Sequence, residues 1–195
     1  MKPSAKIILT AALVGTLGLG VLVRTVYATQ ANLLISEQPV APEKNPPGDI
    51  PDTQVFVTYR SPSGGYQLKV PEGWARRTNG NNVSFIDKLD GVEITVTDET
   101  TAPTAATAKT KQVVELKKSG RAVKIVNVKD VQLPGGLAVL INYTSNSNPD
   151  SVTGKQIRLE NSNYLFFKHG KLATLRLWAP QGADNCFYLK GDRWN

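Results

Sequence analysis

Between residues 55 and 179 the apolar positions recur with a period of two. Val55, Val57 and Tyr59 alternate with Phe56 and Thr58; Tyr66, Leu68 and Val70 follow, then Val83 and Phe85. Val92, Ile94 and Val96 are set against Glu93, Thr95 and Thr97. Such alternation predicts strands with one face buried. Turn clusters punctuate the runs at residues 79–82 (NGNN), Asp90-Gly91, Pro134-Gly135-Gly136 and His169-Gly170. The stretch YRSPSGGYQLKVPEGW, residues 59–74, reads as a strand end, a turn, a short strand and a second turn leading into Trp74. LAVLINY, residues 137–143, is apolar on both faces, as a strand covered on both sides requires.

The period changes once. Residues 100–120, TTAPTAATAKTKQVVELKKSG, are rich in alanine, carry Lys117 and Lys118 near the end and stop at Gly120, which predicts one helix. Its apolar stripe, Val113, Val114 and Leu116, is thin, so the helix covers a sheet rather than filling a core. The total is about eight strands and one clear helix, an antiparallel α+β domain.

Two segments precede it. Residues 7–23 are free of charge, behind Lys2 and Lys6 and ahead of Arg24, and Val26-Tyr27-Ala28 offers small residues where a signal peptidase cuts. The run reads as a cleavable signal or as an uncleaved hydrophobic anchor helix, residues 1–31, and both put the body outside. No lipobox cysteine accompanies it, so a bacterial lipoprotein is excluded. Residues 32–54 form a Pro-rich linker, a semi-extended spacer ahead of a domain spanning 55–195.

Tyr59, Gly65, Tyr66, Pro71, Gly73 and Trp74, then Phe85, the DGVEITV strand, Tyr143 and Ala179-Pro180 together resemble the PsbP-like domain family. That is the fold of the extrinsic photosystem II protein PsbP, of the lipoprotein LpqN and of a Ran-binding nuclear-import factor. The resemblance implies a central antiparallel sheet flanked by helices on both faces, an α/β/α sandwich, and proteins that bind or assemble rather than catalyse. The chain departs from it after Pro180: QGADNCFYLKGDRWN, broken by Gly191, stands where such domains close with a helix.

Charge adds little to this picture. The chain of 195 residues carries +7. Three of its 23 basic residues and none of its 16 acidic ones lie in residues 1–31, leaving 20 against 16 for the rest. That is too mild, and too poor in interleaved aromatics, for nucleic acid. Arg76, Arg77, Lys117, Lys118 and Arg121 are candidates for a partner surface facing an acidic protein on or near a membrane, or anionic lipid; the plainer reading is a solvated face. Trp74 and Trp178 are candidate groove aromatics.

Catalytic chemistry finds no footing in the sequence. His169, the one histidine, stands between lysines at a hairpin tip and reads as an exposed turn residue. Cys186 is alone, without a disulfide or metal companion, and reads as a small apolar side chain. Asp87, Asp90, Glu93, Asp98 and Glu99 are spread over two strands rather than gathered in a calcium loop. Asn82 and Asn142 head glycosylation sequons by chance, and Ser63-Gly64-Gly65 precedes a strand rather than a phosphate-binding helix. No catalytic residue, metal or cofactor is expected. The expectation is an extracytoplasmic accessory protein that binds or assembles. The alternatives are a ligand-binding or enzymatic domain using a groove of the sheet, and a lumenal photosystem II-associated subunit. A pocket beside Trp74 or Trp178 would favour the groove.

Overall fold

The computed structural model describes residues 37–44, 46 and 53–183. The chain divides into two compact units, Met1–Ile35 and Ser36–Asn195, and the described residues belong to the second. The hydrophobic segment, Cys186 and the expected closing segment lie outside the described residues. Among the described residues no helix is long and apolar enough to cross a membrane.

The fold is an antiparallel α+β domain. Among the described residues nine strands are formed: β1 Phe56–Arg60, β2 Gln67–Pro71, β3 Ala75–Asn79, β4 Asn82–Asp87, β5 Asp90–Asp98, β6 Lys124–Leu133, β7 Gly136–Asn146, β8 Arg158–Lys168 and β9 Lys171–Pro180. Seven of them make one antiparallel sheet in the order β3-β4-β5-β9-β8-β7-β6. The first two pair with each other as a separate hairpin. The single helix expected over residues 100–120 is two, α1 Ala105–Thr110 and α2 Gln112–Ser119, meeting at Lys111.

Alternation along the strands sorts the core into two layers. On one face Val83, Phe85, Val92, Ile94, Leu140, Tyr164, Leu175 and Leu177 pack against Leu68 and Val70 of the hairpin. On the other, Val139, Ile141, Tyr143, Leu165 and Leu172 pack against Ala108 and Val113 of the helices. The alternating strand Gln67–Pro71 thus supplies cover for one face; the segment where the resemblance implied a closing helix lies outside the described residues. β7 is buried on both sides, as its unbroken apolar run required, with Ile141 at 0% exposure. The tips follow the turn chemistry. His169 and Gly170 both take positive φ, 49° and 72°, the geometry of a two-residue type I′ turn, and His169 is exposed.

Candidate functional site

Antiparallel order brings one end of the seven strands together: β4, β7 and β9 finish there, and β3, β5, β6 and β8 begin. At that end the structure holds a groove of about 780 Å³. Its walls are the β4–β5 turn, the segment running from α2 into β6 through Arg121, and the 147–157 loop. Tyr143, Ser145, Leu159, Arg176 and Trp178 line its strand side.

The strand-side residues are held in a fixed order. Asn161 donates from Nδ2 to Ser145 Oγ at 3.0 Å, and its Oδ1 accepts from Arg176 Nη2 at 3.0 Å and from Nε at 3.3 Å. So oriented, the Arg176 guanidinium stands 4.7 Å from the centre of the Trp178 ring. A stacked cation of this kind contributes roughly 0.5–2 kcal/mol, more as water is excluded. Glu93 lies directly across the β5–β9 ladder, yet Arg176 takes part in none of the ion pairs found among the described residues. Tyr143 donates from its hydroxyl to Asn163 Oδ1 at 3.5 Å. Burial pushes its pKa up, against the pull of the Arg176 charge, so it keeps its proton.

Trp178 lies where it does because of Gly91. The two are cross-strand partners, and a Cβ on Gly91 would fall 1.9 Å from Trp178 Cζ2. The ring therefore rests on bare backbone. The sequence suggested a turn glycine; the turn is two residues earlier, at Lys88 and Leu89, and Gly91 is inside β5.

The rim carries more charge than the strand side. Asn146, 4% exposed, uses both ends of its amide. Oδ1 accepts from the Val40 amide at 3.1 Å and from Arg158 Nη1 at 2.9 Å. Nδ2 donates to Glu37 Oε1 at 2.8 Å and to the Gln38 carbonyl at 2.9 Å. Glu37 Oε1 also accepts from Gln156 Nε2 at 2.8 Å, and Glu37 Oε2 pairs with Arg121 Nη2 at 3.0 Å. Further along, Glu43 pairs with Lys155 at 2.8 Å. Residues 37–43 are thus a strap along the groove, although their composition reads as a free spacer. Arg158, buried behind it, donates to the Ala122 carbonyl, Asn146 Oδ1 and Thr144 Oγ1, and burial lowers its pKa.

The groove divides the residues singled out from sequence. Trp178 and Arg121 line it. Lys117 and Lys118 are exposed on α2 beyond its wall. Arg76 and Arg77 are exposed on β3 at the far edge of the sheet, five strand spacings from β7, or about 24 Å. They also point to opposite faces: Arg76 sits over the Tyr59 ring at 6.0 Å, while Arg77 lies on the other face of the strand. The five basic residues are therefore not one surface. Trp74 packs on the hairpin core, the opposite face from Trp178. Asp98 and Glu99 are taken up by ion pairs with Lys171 and Lys111. The sequon asparagines Asn82 and Asn142 bond to the Val96 amide and to Ser162 Oγ.

No family model and no curated protein sequence matches the chain. Solved structures do. The solution structure of cyanobacterial PsbP from Synechocystis sp. PCC 6803 is similar at 16% identity, over 69% of this chain and 86% of that one, with a TM-score of 0.49. A Pseudomonas aeruginosa protein of unknown function is similar at 16% identity, over 65% of this chain and 83% of that one, with a TM-score of 0.36. The first bears the family name that the sequence resemblance reached; neither likeness says anything of function.

Arg176, Asn161, Ser145, Asn146, Lys155 and Glu37 are the residues that sequence reasoning passed over. One signal was present. Asn161, Ser162 and Asn163 precede the apolar run Tyr164–Phe167 in the same strand, and all three are buried. Polar side chains in that position need partners; here Asn161 holds Ser145 and Arg176, Ser162 donates to Asn142 Oδ1, and Asn163 accepts from the Tyr143 hydroxyl.

Proposed function

We propose that this chain is an exported or membrane-tethered accessory protein that binds a partner without catalysis, and that the groove over Trp178 is its binding site. The observation that carries the reading is the Arg176–Trp178 stack, oriented by Asn161 and lining a groove of about 780 Å³. A preformed concavity with a few convergent polar groups is the usual form of a binding site. Its chemistry suits holding charge rather than moving protons. Arg176 is a fixed cation, Tyr143 is held protonated, and the Asp150 carboxylate is occupied by the backbone and hydroxyl of Thr153 and the amide of Val152.

The test is affinity capture with the full chain from an extract of the cells that produce it, beside Arg176→Ala and Trp178→Ala chains that remain folded. Proteins retained by the parent chain are expected to be lost from both variants. An identical captured set from all three would remove the groove from the function.

A further inference from the structure

The strap is the one part of the groove whose chemistry resembles that of a ligand. Glu37 is a carboxylate received by three donors from three separate segments: the Arg121 guanidinium, the Asn146 amide and the Gln156 amide. Six residues later Glu43 meets a second groove cation, Lys155. Between them runs a Gln-Pro-Val-Ala-Pro segment outside any helix or strand, with two backbone anchors on the Asn146 amide: the Val40 N–H on Oδ1 and the Gln38 carbonyl on Nδ2. This is how an extended acidic peptide is held: carboxylates on cations at fixed spacing, with main-chain hydrogen bonds between.

The fit is also incomplete in a telling way. Glu37 engages Arg121 through Nη2 alone, because its other oxygen is committed to the two amides. Arg121 Nε is buried without a hydrogen-bond partner among the described residues. A carboxylate arriving side-on would satisfy Nε and Nη2 together, the bidentate pairing that Arg favours. Both strap ion pairs are partly exposed, the class that contributes least to stability, so the strap is held loosely enough to exchange. Charge points the same way. The groove is lined by Lys88, Arg121, Lys155 and Arg176 against Glu43 and Asp150. Without Glu43 the one carboxylate left there is bound into its own turn.

We propose that residues 37–43 are a displaceable internal ligand, standing in for an extended acidic peptide segment of the protein partner that takes the groove. This rests on the groove being the binding site. The strap then sets the threshold for binding: if it is open a tenth of the time, the apparent Kd of the competitor is raised about tenfold.

The experiment uses the full chain and a fluorescently labelled peptide of residues 36–44, SEQPVAPEK, added in trans, read by anisotropy. A Glu37→Gln/Glu43→Gln chain, checked for folding by circular dichroism, is expected to bind the peptide about tenfold more tightly than the parent chain. Adding Arg121→Ala to that variant is expected to abolish the gain. Equal affinities for parent and double variant, in a peptide of either sequence direction, would overturn the proposal. So would a gain in binding to phosphatidylglycerol vesicles without a gain in peptide binding, which would make the occupant a lipid surface. A charge-reversed Glu37→Lys/Glu43→Lys chain gives the same reading should the amide variant keep its strap. Failure here is separable from failure of the groove. If capture still depends on Arg176 and Trp178 while the strap variants bind like the parent, the groove stands and the strap is structural only. If capture ignores Arg176 and Trp178, the groove itself is not the site.

Discussion

Gly91 shows how one residue without a side chain decides a site. Its backbone conformation is ordinary; what it supplies is the space that the Trp178 ring fills. Gly91→Ala leaves two outcomes for the ring, a new rotamer or a displaced strand. Overpacking of this kind costs typically 1–3 kcal/mol. The variant is therefore expected to lose about 2 kcal/mol in urea unfolding. Its tryptophan emission should shift to the red as the ring leaves Arg176, and an unshifted emission would mean that the stack survives. The sequence offered Asp90-Gly91 as a turn, a sound reading of the dipeptide. It missed because the demand on Gly91 comes from a residue 87 positions later, and no local rule carries that information. The buried Asn161-Ser162-Asn163 run differs, since its anomaly is local and could have been read as a polar network.

At the scale of elements, strands were legible and the coverings were not. A period of two reports burial on one face, and the sheet follows from it. What lies on each face depends on the covering element, and the β1–β2 hairpin proved to be one of them. The helical stretch was found, but its break at Lys111 follows from threonines that turn inward on their own turn. Thr107 Oγ1 bonds to the Thr104 carbonyl and Thr110 Oγ1 to the Thr107 carbonyl. Such back-bonding competes with the helical ladder and bends or ends it. Thr104 starts the first helix as its N-cap, its Oγ1 accepting from the Thr107 amide at 3.2 Å while Thr107 Oγ1 accepts from the Thr104 amide. Thr104→Ala should cost about 1 kcal/mol of stability by denaturant titration. A change below a few tenths would mean that packing through Ala108 alone holds the helix. The strap belongs to this scale as well. Its prolines and polar residues spell a spacer, and its partners Arg121, Asn146, Lys155 and Gln156 lie 84 or more positions away in the chain.

At the scale of the molecule, the strap makes the state of the groove depend on pH. Hydrogen bonds from Asn146 and then Gln156 hold the Glu37 carboxyl below its usual value, with the Arg121 charge acting in the same direction. A carboxylate whose pKa falls on docking stabilises the docked state fully above the ordinary carboxylate range. That contribution is lost as pH falls through the depressed value. Acid therefore opens the strap, and neutral pH closes it. The charged groups facing it are the cations Arg121 and Lys155, so Glu37 is the carboxylate at its first anchor. The Val40 amide reports the event, because its bond to Asn146 Oδ1 exists only while the strap is docked. Hydrogen exchange, corrected for its intrinsic pH dependence, is expected to show Val40 protection high at neutral pH and falling below the usual carboxylate range. Amides of the buried strand β7 should keep their protection over the same interval. In a Glu37→Gln chain the Val40 step should vanish, with protection low at every pH. A step of the same size in that variant would place the sensing group elsewhere and leave Glu37 as a surface contact.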